Sequence, residues 1–185
     1  MIEPNLDRVW AALTMGARPG CTPFTVLQLA TSGLDGAPKV RSVILRSADA
    51  ERGAVSLFTD LRSAKIEEIR RQPRVSLLGY DADAGFQIRL EGKATIDSEG
   101  PEAAAAWQAC RSHTRALFQH PLPSGTPISA PAEASPADDV DSKKHFAVVV
   151  VSVIRIDWLD TSGPLHLRAV FQRDDCDWRG GWVAP

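Results

Sequence analysis

The chain has 185 residues, with 21 basic and 23 acidic side chains and a formal net charge of −2. A chain of this length can bury a substantial core, and we expect residues 1–185 to form a single domain. The balanced charge argues against a general nucleic-acid or polyanion binder, because such proteins usually carry a strong basic excess. The balanced net charge is compatible with a local basic pocket.

No segment of the sequence predicts export or membrane insertion. Residues 1–10 carry acidic side chains and lack the apolar centre of a signal peptide. The longest apolar run, Phe146–Val151, is too short to cross a bilayer. Cys21, Cys110 and Cys176 are far apart and include no CxxC pair, so we expect neither a disulfide framework nor a metal site and interpret them as inert. A reducing cytoplasm is the simplest location.

Strands, turns and two helices are predicted in the first half of the chain. Apolar residues recur at helical spacing over 6–17, and β-rich runs separated by turn residues follow. Pro73 ends the second helix, because proline cannot continue a helix interior. In chain order, the predicted elements are a helix over 6–17, strands over 24–31, 38–46 and 54–59, a helix over 61–72, and strands over 74–81 and 86–97.

The second half adds a helix, a proline-rich loop and three more strands. An alanine-rich helix is predicted over 101–118. Residues 119–141 contain five prolines and almost no large apolar side chains, which predicts an exposed, mobile loop. Strands are predicted over 146–158, 165–172 and 178–184. Because the helices are inserted between hairpins, the order favours a mainly β, antiparallel barrel with helical additions over a doubly wound sheet.

The transition from the third strand to the second helix carries the strongest functional signal. A helix that begins directly after a strand offers free N–H groups and a positive dipole end to an anion. Here Arg62, Ser63 and Lys65 add a guanidinium, a hydroxyl and an ammonium within four positions, and each can bind phosphate oxygens. The simpler interpretation is that Ser63 only caps the helix while the basic side chains are solvated.

Polar residues on other strands strengthen the phosphate interpretation. Arg41 and Arg46 stand at the two ends of an apolar strand. Strict alternation points them to opposite faces, so both can serve one ligand only at the strand ends or through a bulge. Gln87 lies on the polar face of its strand, and His166 and Arg168 are expected to share one strand face.

The ordered motifs now identify a family resemblance. The series is RSVILR (41–46), FTDLRSAK (58–65), PRVSLL (73–78), FQIRLEGKA (86–94), Trp158, LHLR (165–168) and the ending WRGGWVAP. In this order the motifs resemble the pyridoxamine 5′-phosphate oxidase-like flavoproteins over residues 24–185. The resemblance implies an FMN-binding split β-barrel, antiparallel and Greek-key-like, with FMN as the cofactor.

The resemblance also implies which residues contact FMN. The strand over 41–46 would line the flavin and its ribityl chain, and Ser63 and Lys65 would bind the phosphate. The family's arginine between these two is Ala64 here, and we expect Arg62 to take its role. The full set of expected FMN contacts is Arg41, Ser42, Val43, Ile44, Leu45, Arg46, Phe58, Thr59, Arg62, Ser63, Lys65, Gln87, Trp158 and Arg168.

The same resemblance implies an obligate homodimer. In such proteins the flavin lies at the two-fold interface and is shared by both subunits. We expect the apolar segment 146–154 to contribute to that interface. The other expected partner is a small-molecule substrate, with neither nucleic acid nor a membrane.

On the substrate side the chain departs from the oxidase pattern. Arg111 and His166 are retained and are our candidate catalytic residues, whereas Trp107 and Pro164 stand where the oxidases have a tyrosine and an arginine. Trp107, Arg111 and Arg115 fall at i, i+4 and i+8 of the predicted helix. They form either a cover over the substrate side of the flavin or an exposed basic stripe. His166 is either a proton donor or anion ligand, or a hydrogen-bonded residue of the sheet.

Three functions remain open from the sequence. The first is an FMN-dependent oxidoreductase that takes a hydride from a small amine- or alcohol-bearing substrate, with a pyridoxine-type phosphate as the default. The second is a non-catalytic module that binds a flavin, the deazaflavin F420 or haem, with His166 or a loop histidine as the available axial ligand. The third is a barrel that only pairs with other proteins. The clustered charge of Arg62 and Lys65 argues against the third.

Overall fold

The computed structural model of the chain describes residues 3–20, 22–137, 141–175 and 177–185. Its helices are α1 (Glu3–Gly16), α2 (Ala64–Arg71), α3 (Pro101–Ala109) and α4 (Ser112–Ala116). Its strands are β1 (Val26–Ser32), β2 (Pro38–Asp49), β3 (Ala54–Asp60), β4 (Arg74–Asp81), β5 (Phe86–Asp97), β6 (Phe146–Asp160), β7 (Leu167–Asp174) and β8 (Asp177–Trp182). Cys21 and Cys176, interpreted above as inert, lie outside the described residues.

Six of the strands close into an antiparallel barrel. Their order is β3-β2-β1-β4-β5-β6, and β6 pairs again with β3 to close the ring. β1, β2 and β3 follow one another in sequence and are adjacent in the sheet, and β4 pairs with the other edge of β1. The resulting spatial order, β4-β1-β2-β3, is that of a Greek key. β7 and β8 extend the sheet beyond β6. The predicted mainly β, antiparallel, Greek-key-like barrel is confirmed.

The long strand β6 belongs to both parts of the sheet. Its segment Phe146–Ser152 pairs with β3, and its segment Arg155–Asp160 pairs with β7. β5 runs along its other edge for almost the whole length. Its 15 residues give the strand roughly 45–50 Å of contour at about 3.3 Å per residue. Residues that follow β3 and residues that open β7 therefore lie near opposite ends of β6.

Alternation within the strands separates a buried inner face from an outer face. In β5, Phe86, Ile88 and Leu90 are at most 3% exposed, while Gln87 and Arg89 point outward. Helix α1 adds apolar side chains to the same core. None of the helices that the structure describes combines the length and the apolar character needed to cross a lipid bilayer.

A second, smaller apolar cluster lies outside the barrel under α3. The Trp107 ring packs against Phe146 and Phe118, with centroids 5.1 and 6.2 Å away. Phe118, Phe146 and Val148 are each at most 5% exposed. The outer face at the start of β6 is therefore covered within the chain itself. The contribution of segment 146–154 to a dimer interface stays a prediction.

The predicted helix over 101–118 is broken in the structure. Cys110 and Arg111 have extended backbones, with ψ angles of 131° and 155°, and they separate α3 from α4. The Arg115 guanidinium donates to the carbonyls of Trp107 and Gln108 at the end of α3, at 2.9 and 3.1 Å. The break directs the chain after α4 back to the cluster under α3. Trp107, Arg111 and Arg115 therefore do not share one helical face.

The proline-rich loop is exposed, as predicted, and its described part is tied at its base. The Ala137 N–H donates to the Gln119 carbonyl at 3.1 Å. The His120 ring also contacts the Ala134 carbonyl. The loop over 119–137 thus leaves and returns at one place beside the end of α4.

A buried ion pair ties α2 to the barrel. Arg41 donates to Glu68 at 2.7 Å and also contacts the Thr31 hydroxyl. Thr31 donates to the same Glu68 oxygen at 2.6 Å. Glu68 and Thr31 are each 5% exposed, so the carboxylate depends on these two partners in place of water.

Replacement of Arg41 alone should cost more stability than replacement of the whole pair. Arg41→Met leaves the Glu68 carboxylate buried without its cation, and we expect the free energy of unfolding to fall by about 3 kcal/mol. In Arg41→Met/Glu68→Leu the buried charge is gone, and most of that loss should be recovered. Urea unfolding of the flavin-free proteins at one protein concentration measures both values. Equal losses in the single and the double variant would contradict the coupling.

Candidate functional site

Three polar side chains meet where β3 gives way to α2. The Lys65 ammonium donates to the Thr59 hydroxyl at 2.9 Å and to the Ser63 hydroxyl at 3.1 Å. The two hydroxyl oxygens are 3.3 Å apart. Thr59 and Ser63 are buried, and Lys65 is half-buried. We call these three residues the Lys65 cluster.

Ser63 occupies the N-cap position of α2, but its side chain does not cap the helix. Its hydroxyl makes no hydrogen bond to the first turn and contacts Thr59 and Lys65 instead. The interpretation of Ser63 as only a helix cap is therefore wrong. Among the described hydrogen bonds, the N–H groups of Ala64 and Lys65 have no acceptor, and the first bonded one is that of Ile66. Free N–H groups, hydroxyls and an ammonium together form a site for an anion.

The Lys65 ammonium has no carboxylate partner among the described residues. Burial lowers the pKa of Lys65 below its usual value, and the positive charge of Arg41 lowers it further. Asp60 and Glu68 act in the opposite direction but do not cancel the shift. A bound anion would stabilise the protonated form. The Lys65 cluster is therefore electrostatically suited to a negatively charged group.

Arg41 lies next to this cluster, but its guanidinium is bound to other residues of the chain. Its guanidinium is held by Glu68, Thr31 and the Leu29 carbonyl. It does not line the cavity beside Lys65. The structure thus gives Arg41 a role in packing and local charge, while its contact with FMN stays a prediction.

Arg62 does not join the Lys65 cluster. Its guanidinium pairs with Asp60 at 2.6 Å and donates to the carbonyls of His120 and Pro121 at 2.9 and 3.1 Å. Asp60, two residues earlier in the chain, offers a carboxylate that turns Arg62 away from Lys65. The expected role of Arg62 as a phosphate ligand is not what this geometry shows.

A groove of about 380 Å³ extends from the Lys65 cluster along the outer face of β2. One wall is the middle of β2, and the other is α4 with the residues that follow it. The first wall contributes Ser42, Val43 and Ile44, and the second contributes Thr114, Leu117 and Phe118. A cavity of this size, with one polar end and largely apolar walls, suits a small-molecule ligand.

Arg46 stands in a β-bulge farther along this groove. The register of β2 against β3 shifts between Leu45 and Ser47, which leaves Arg46 as the extra residue. Its guanidinium lies over the Phe58 ring, 5.2 Å from the centroid. Its Nε is buried without a partner in the described structure, and burial lowers the pKa of the guanidinium. Arg46 thus faces the groove, whereas Leu45, an expected FMN contact, is 3% exposed and belongs to the core.

A second cavity, of about 450 Å³, adjoins the groove at Arg46 and Phe58. Three more basic side chains line it: Arg18 after α1, and Arg111 and His113 at the start of α4. No acidic residue of the described chain lines this cavity. We call it the basic cavity, and its charge suits an anionic ligand.

Cys110 also lines the basic cavity. Burial raises the pKa of its thiol, against the opposing charges of Arg46 and Arg115. A thiol that stays protonated is a weak nucleophile, which agrees with the interpretation of Cys110 as inert. In the part of the chain that the structure describes, no group of three or more His, Cys, Asp or Glu side chains is placed to hold a metal ion.

The remaining expected site residues lie on another part of the sheet. Gln87, Trp158 and Arg168 are on β5, β6 and β7, and neither they nor His166 line the groove or the basic cavity. Gln87 and Arg168 both pair with Leu159, near the end of β6 that is remote from β3. One chain therefore brings together only part of the expected site.

Arg168 and Trp158 have structural partners within the chain. Arg168 grips the buried Asp157 carboxylate with two hydrogen bonds of 2.9 and 2.8 Å, and Arg89 reaches the same group. Burial works to raise the pKa of Asp157, but these two arginines outweigh it and hold the pKa below its usual value. Trp158 is 1% exposed and packs against Phe86. Trp158 is a core residue with almost no surface to offer a flavin, which corrects its expected contact.

His166 precedes β7 and does not belong to it. The strand begins at Leu167 and not at the predicted Leu165. Pro164, which precedes Leu165, has no N–H for strand pairing. His166 is exposed, so it is not a residue of the sheet and does not share a strand face with Arg168. Its catalytic role stays a prediction.

Sequence reasoning missed Arg18 and the second wall of the groove. Pro19 and Gly20 after Arg18 mark a turn, but a turn signal does not say which distant surface it faces. The predicted single helix over 101–118 includes Thr114 and Leu117, and only the break at Cys110 brings them over β2. No local pattern could have found either.

The residues present fit FMN by their chemistry. The Lys65 cluster at the start of α2 suits a phosphate. The adjoining groove has apolar walls that suit a planar ring system. Arg46 places a partly desolvated cation with an unused Nε donor beside that space.

Comparison with known proteins points to one family. Residues 9–98 match the family model described as the FMN-binding domain of pyridoxamine 5′-phosphate oxidase. A pyridoxine/pyridoxamine 5′-phosphate oxidase from Granulibacter bethesdensis is 34% identical, over 91% of this chain and 84% of the relative. A protein of the same name from Anaeromyxobacter dehalogenans is 29% identical, over 94% of this chain and 91% of its own.

Solved structures share the barrel. A pyridoxamine 5′-phosphate oxidase-related, FMN-binding protein from Nostoc punctiforme has a TM-score of 0.81 at 25% identity, over 97% of this chain and 96% of its own. PhzG from Burkholderia lata, solved with tetrahydrophenazine-1-carboxylic acid, has a TM-score of 0.76 at 24% identity, over 99% and 92% of the two chains. The second likeness shows the fold alone. Sequence and structure together establish that this chain belongs to the pyridoxamine 5′-phosphate oxidase-like family of FMN-binding split barrels and that its cofactor is FMN.

Proposed function

We propose that the chain is an FMN-dependent oxidoreductase for a small amine- or alcohol-bearing substrate that carries an anionic group. The observation that carries this proposal is that two sites suited to an anion lie on one groove. The Lys65 cluster lies at one end, and the basic cavity adjoins the groove at Arg46. This supports a cofactor phosphate at the first site and a substrate anion at the second.

In this proposal the FMN phosphate binds the Lys65 cluster. The Lys65 ammonium and the hydroxyls of Thr59 and Ser63 converge within hydrogen-bond distance of one another. The free N–H groups at the start of α2 add further donors. Charge-assisted contacts of this kind contribute about 1.5–3 kcal/mol each. Several of them together can offset the loss of phosphate hydration.

The substrate anion binds in the basic cavity in this proposal. Arg46 lines both the groove and this cavity, so an anion held by Arg18 and Arg111 leaves the rest of the substrate beside the flavin ring. Trp107 and Arg115 do not take part, because the first is packed under α3 and the second binds the end of that helix. The substrate side therefore differs in composition from the oxidase pattern.

The division of chemistry follows from these placements. Bound FMN supplies the hydride acceptor for a substrate C–H next to an amine or alcohol, and oxygen or another acceptor removes the electrons. The chain holds the substrate in position and supplies charge. Arg46, desolvated over Phe58, stabilises negative charge next to the groove. Thr114 and Phe118 limit the access of water from the side of α4.

We also propose that a second copy of the chain completes the site. Gln87, Arg168 and His166 do not line the cavities beside Lys65 in one chain, and a two-fold dimer would bring them to the groove of the other copy. Two apolar side chains on the outer face of the barrel that do not line the groove support an interface, because Val40 is 66% exposed and Tyr80 is 51% exposed. His166 would then act from the opposite subunit as proton donor or anion ligand.

Loss of the Lys65 ammonium should weaken FMN binding and leave riboflavin binding almost unchanged. Lys65→Ala removes a charge-assisted contact to the phosphate, which riboflavin lacks, so we expect at least a roughly tenfold weaker FMN affinity. Titration of flavin-free protein, followed by flavin fluorescence, measures both dissociation constants. Equal weakening for the two flavins would contradict a phosphate at Lys65, and so would no weakening of FMN.

FMN affinity should fall as the pH rises into the alkaline range. Burial lowers the pKa of Lys65 in the flavin-free protein, and the phosphate raises it again on binding. The contribution of the ammonium is complete below the lowered pKa and is lost as the pH rises through the higher, bound-state pKa. Titrations from about pH 7 to about pH 10 measure this loss.

Two controls isolate Lys65 in that experiment. Lys65→Arg keeps its charge throughout the range, so its FMN affinity should stay nearly constant. Riboflavin titrations correct for ionisation of the ring itself. The same alkaline loss in Lys65→Arg as in the unaltered protein would show that another group titrates.

Arg111 should matter for the substrate and not for the cofactor. We expect Arg111→Gln to raise the KM for pyridoxamine 5′-phosphate roughly tenfold, with a much smaller change in kcat, because it removes a charge-assisted contact to the substrate anion. The KM for unphosphorylated pyridoxamine should not change. Steady-state oxidation of both amines by the FMN-loaded protein measures this difference. An equal effect on the two amines would exclude Arg111 as the anion ligand.

A further inference from the structure

We propose that Arg62 is a positioning residue that joins the turn between β3 and α2 to the α4 wall of the FMN groove without touching the phosphate. The inference rests on the proposed function, in which the groove between β2 and α4 holds the flavin. Arg62 lies directly between Leu61 and Ser63 in the turn that begins the phosphate site. Its side chain nevertheless bonds to Asp60 and to the chain that follows α4, and not to the Lys65 cluster.

On the first side, Arg62 fixes the conformation of its own turn. The Asp60 carboxylate accepts the Arg62 backbone N–H at 2.7 Å, its Nε–H at 3.0 Å and one of its terminal NH₂ groups at 2.6 Å. Burial works to raise the pKa of Asp60, but hydrogen bonds and charge from Arg62 outweigh it and keep the carboxyl ionised. The Ser63 N–H also donates to the Asp60 carbonyl. The position of Ser63 in the Lys65 cluster therefore depends on this closed turn.

On the second side, Arg62 fixes the chain that follows α4. Its two terminal NH₂ groups donate to the carbonyls of His120 and Pro121. These residues follow Leu117 and Phe118, which belong to the second wall of the groove, after one intervening residue. Few other hydrogen bonds of the described structure hold residues 119–121. The main ones close the loop over 119–137 at its base, between Gln119 and Ala137 and between His120 and Ala134. Arg62 is thus a direct bond between the phosphate turn and the α4 wall.

The contacts require an arginine. One planar guanidinium reaches a carboxylate and two carbonyl oxygens at the same time, and its side chain is 21% exposed. A lysine ammonium is a single point charge and cannot bond in the same directions at once. Lysine at this position should therefore preserve the charge but not the connection between the turn after β3 and the α4 wall.

The expected consequence differs from that of a phosphate ligand. If Arg62 sets the position of the α4 wall relative to the Lys65 cluster, its loss weakens the binding of the ring system and of the phosphate together. FMN and riboflavin then lose affinity by a similar factor. If Arg62 binds the phosphate, only FMN loses affinity.

The test compares FMN and riboflavin dissociation constants in four variants of the full chain. We expect Arg62→Ala to weaken both flavins by a similar factor, roughly tenfold, and Arg62→Lys to give no more than a small recovery. Lys65→Ala should weaken FMN alone. Arg70→Ala is the matched control, because it removes an arginine of α2 whose hydrogen bond is to the exposed Glu67, and it should change neither constant.

A second measurement separates local positioning from general destabilisation. Limited proteolysis of the FMN-loaded proteins should cut Arg62→Ala faster within residues 119–137, while Lys65→Ala and Arg70→Ala resist like the unaltered chain under flavin saturation. Flavin-free Arg62→Ala should have a lower urea midpoint than Arg70→Ala, because the Asp60 carboxylate loses its cation, so the flavin titrations are made without urea, where circular dichroism shows that both variants are folded. If Arg62→Ala does not fold, Arg62→Lys is compared in its place, with the same expected loss for both flavins.

The outcomes distinguish this inference from the proposed function. Selective loss of FMN in Arg62→Ala would make Arg62 a phosphate ligand and overturn the inference. Unchanged affinities for both flavins, or unchanged cleavage within 119–137, would overturn it as well. Failure of Lys65→Ala to separate FMN from riboflavin would instead count against the proposed phosphate site, whatever Arg62 does.

Discussion

The Lys65 ammonium is half-buried between two hydroxyl groups, without a carboxylate partner in the described structure. A buried cation without a counter-charge is costly, and its lowered pKa reflects that cost. The neighbouring charges are already committed to each other: Arg41 to Glu68, and Asp60 to Arg62. The site therefore keeps an unmet requirement for negative charge. A phosphate ester meets that requirement, and by mass action its binding also stabilises the folded chain.

The barrel holds the Lys65 cluster and the walls of the groove in place. β3 pairs with β2 over 54–57 and with β6 over its whole length, so the end of the strand that presents Thr59 is held by β6. Helix α2 is anchored to the sheet by the buried Arg41–Glu68 pair. The second wall of the groove belongs to a different part of the sequence and is attached through α3 and the aromatic cluster around Phe146. Arg62 connects these two parts directly, which is why a residue that faces away from the ligand can influence its binding.

Local patterns predicted the elements whose cause is local. Strict alternation in β5 and the turns around β4 gave bounds of 74–81 and 86–97 that agree with the structure. Ser63 and Lys65 of the Lys65 cluster were recognisable because they directly follow the turn after a strand. The bulge that allows Arg46 to face the groove was one of the two options that alternation left open.

The predictions that failed depended on distant contacts. The alanine-rich composition favoured one helix over 101–118. In the structure the helix breaks at Cys110, and Phe118 packs against Trp107. Arg62 pairs with Asp60, a partner that the motif does not indicate, and its expected contact with the phosphate stays untested. Trp158 was matched by its order in the motif series, although the barrel places it in the core. In each case the determining neighbour is set by the tertiary fold or by a competing side chain, which a motif does not record.

The most direct test of the account is a crystal structure of the chain with FMN bound. The account predicts the phosphate within hydrogen-bond distance of the Lys65 ammonium and the Ser63 hydroxyl, with the ring in the groove between Ile44 and Thr114. A phosphate bound elsewhere, with Lys65 still held only by Thr59 and Ser63, would contradict it.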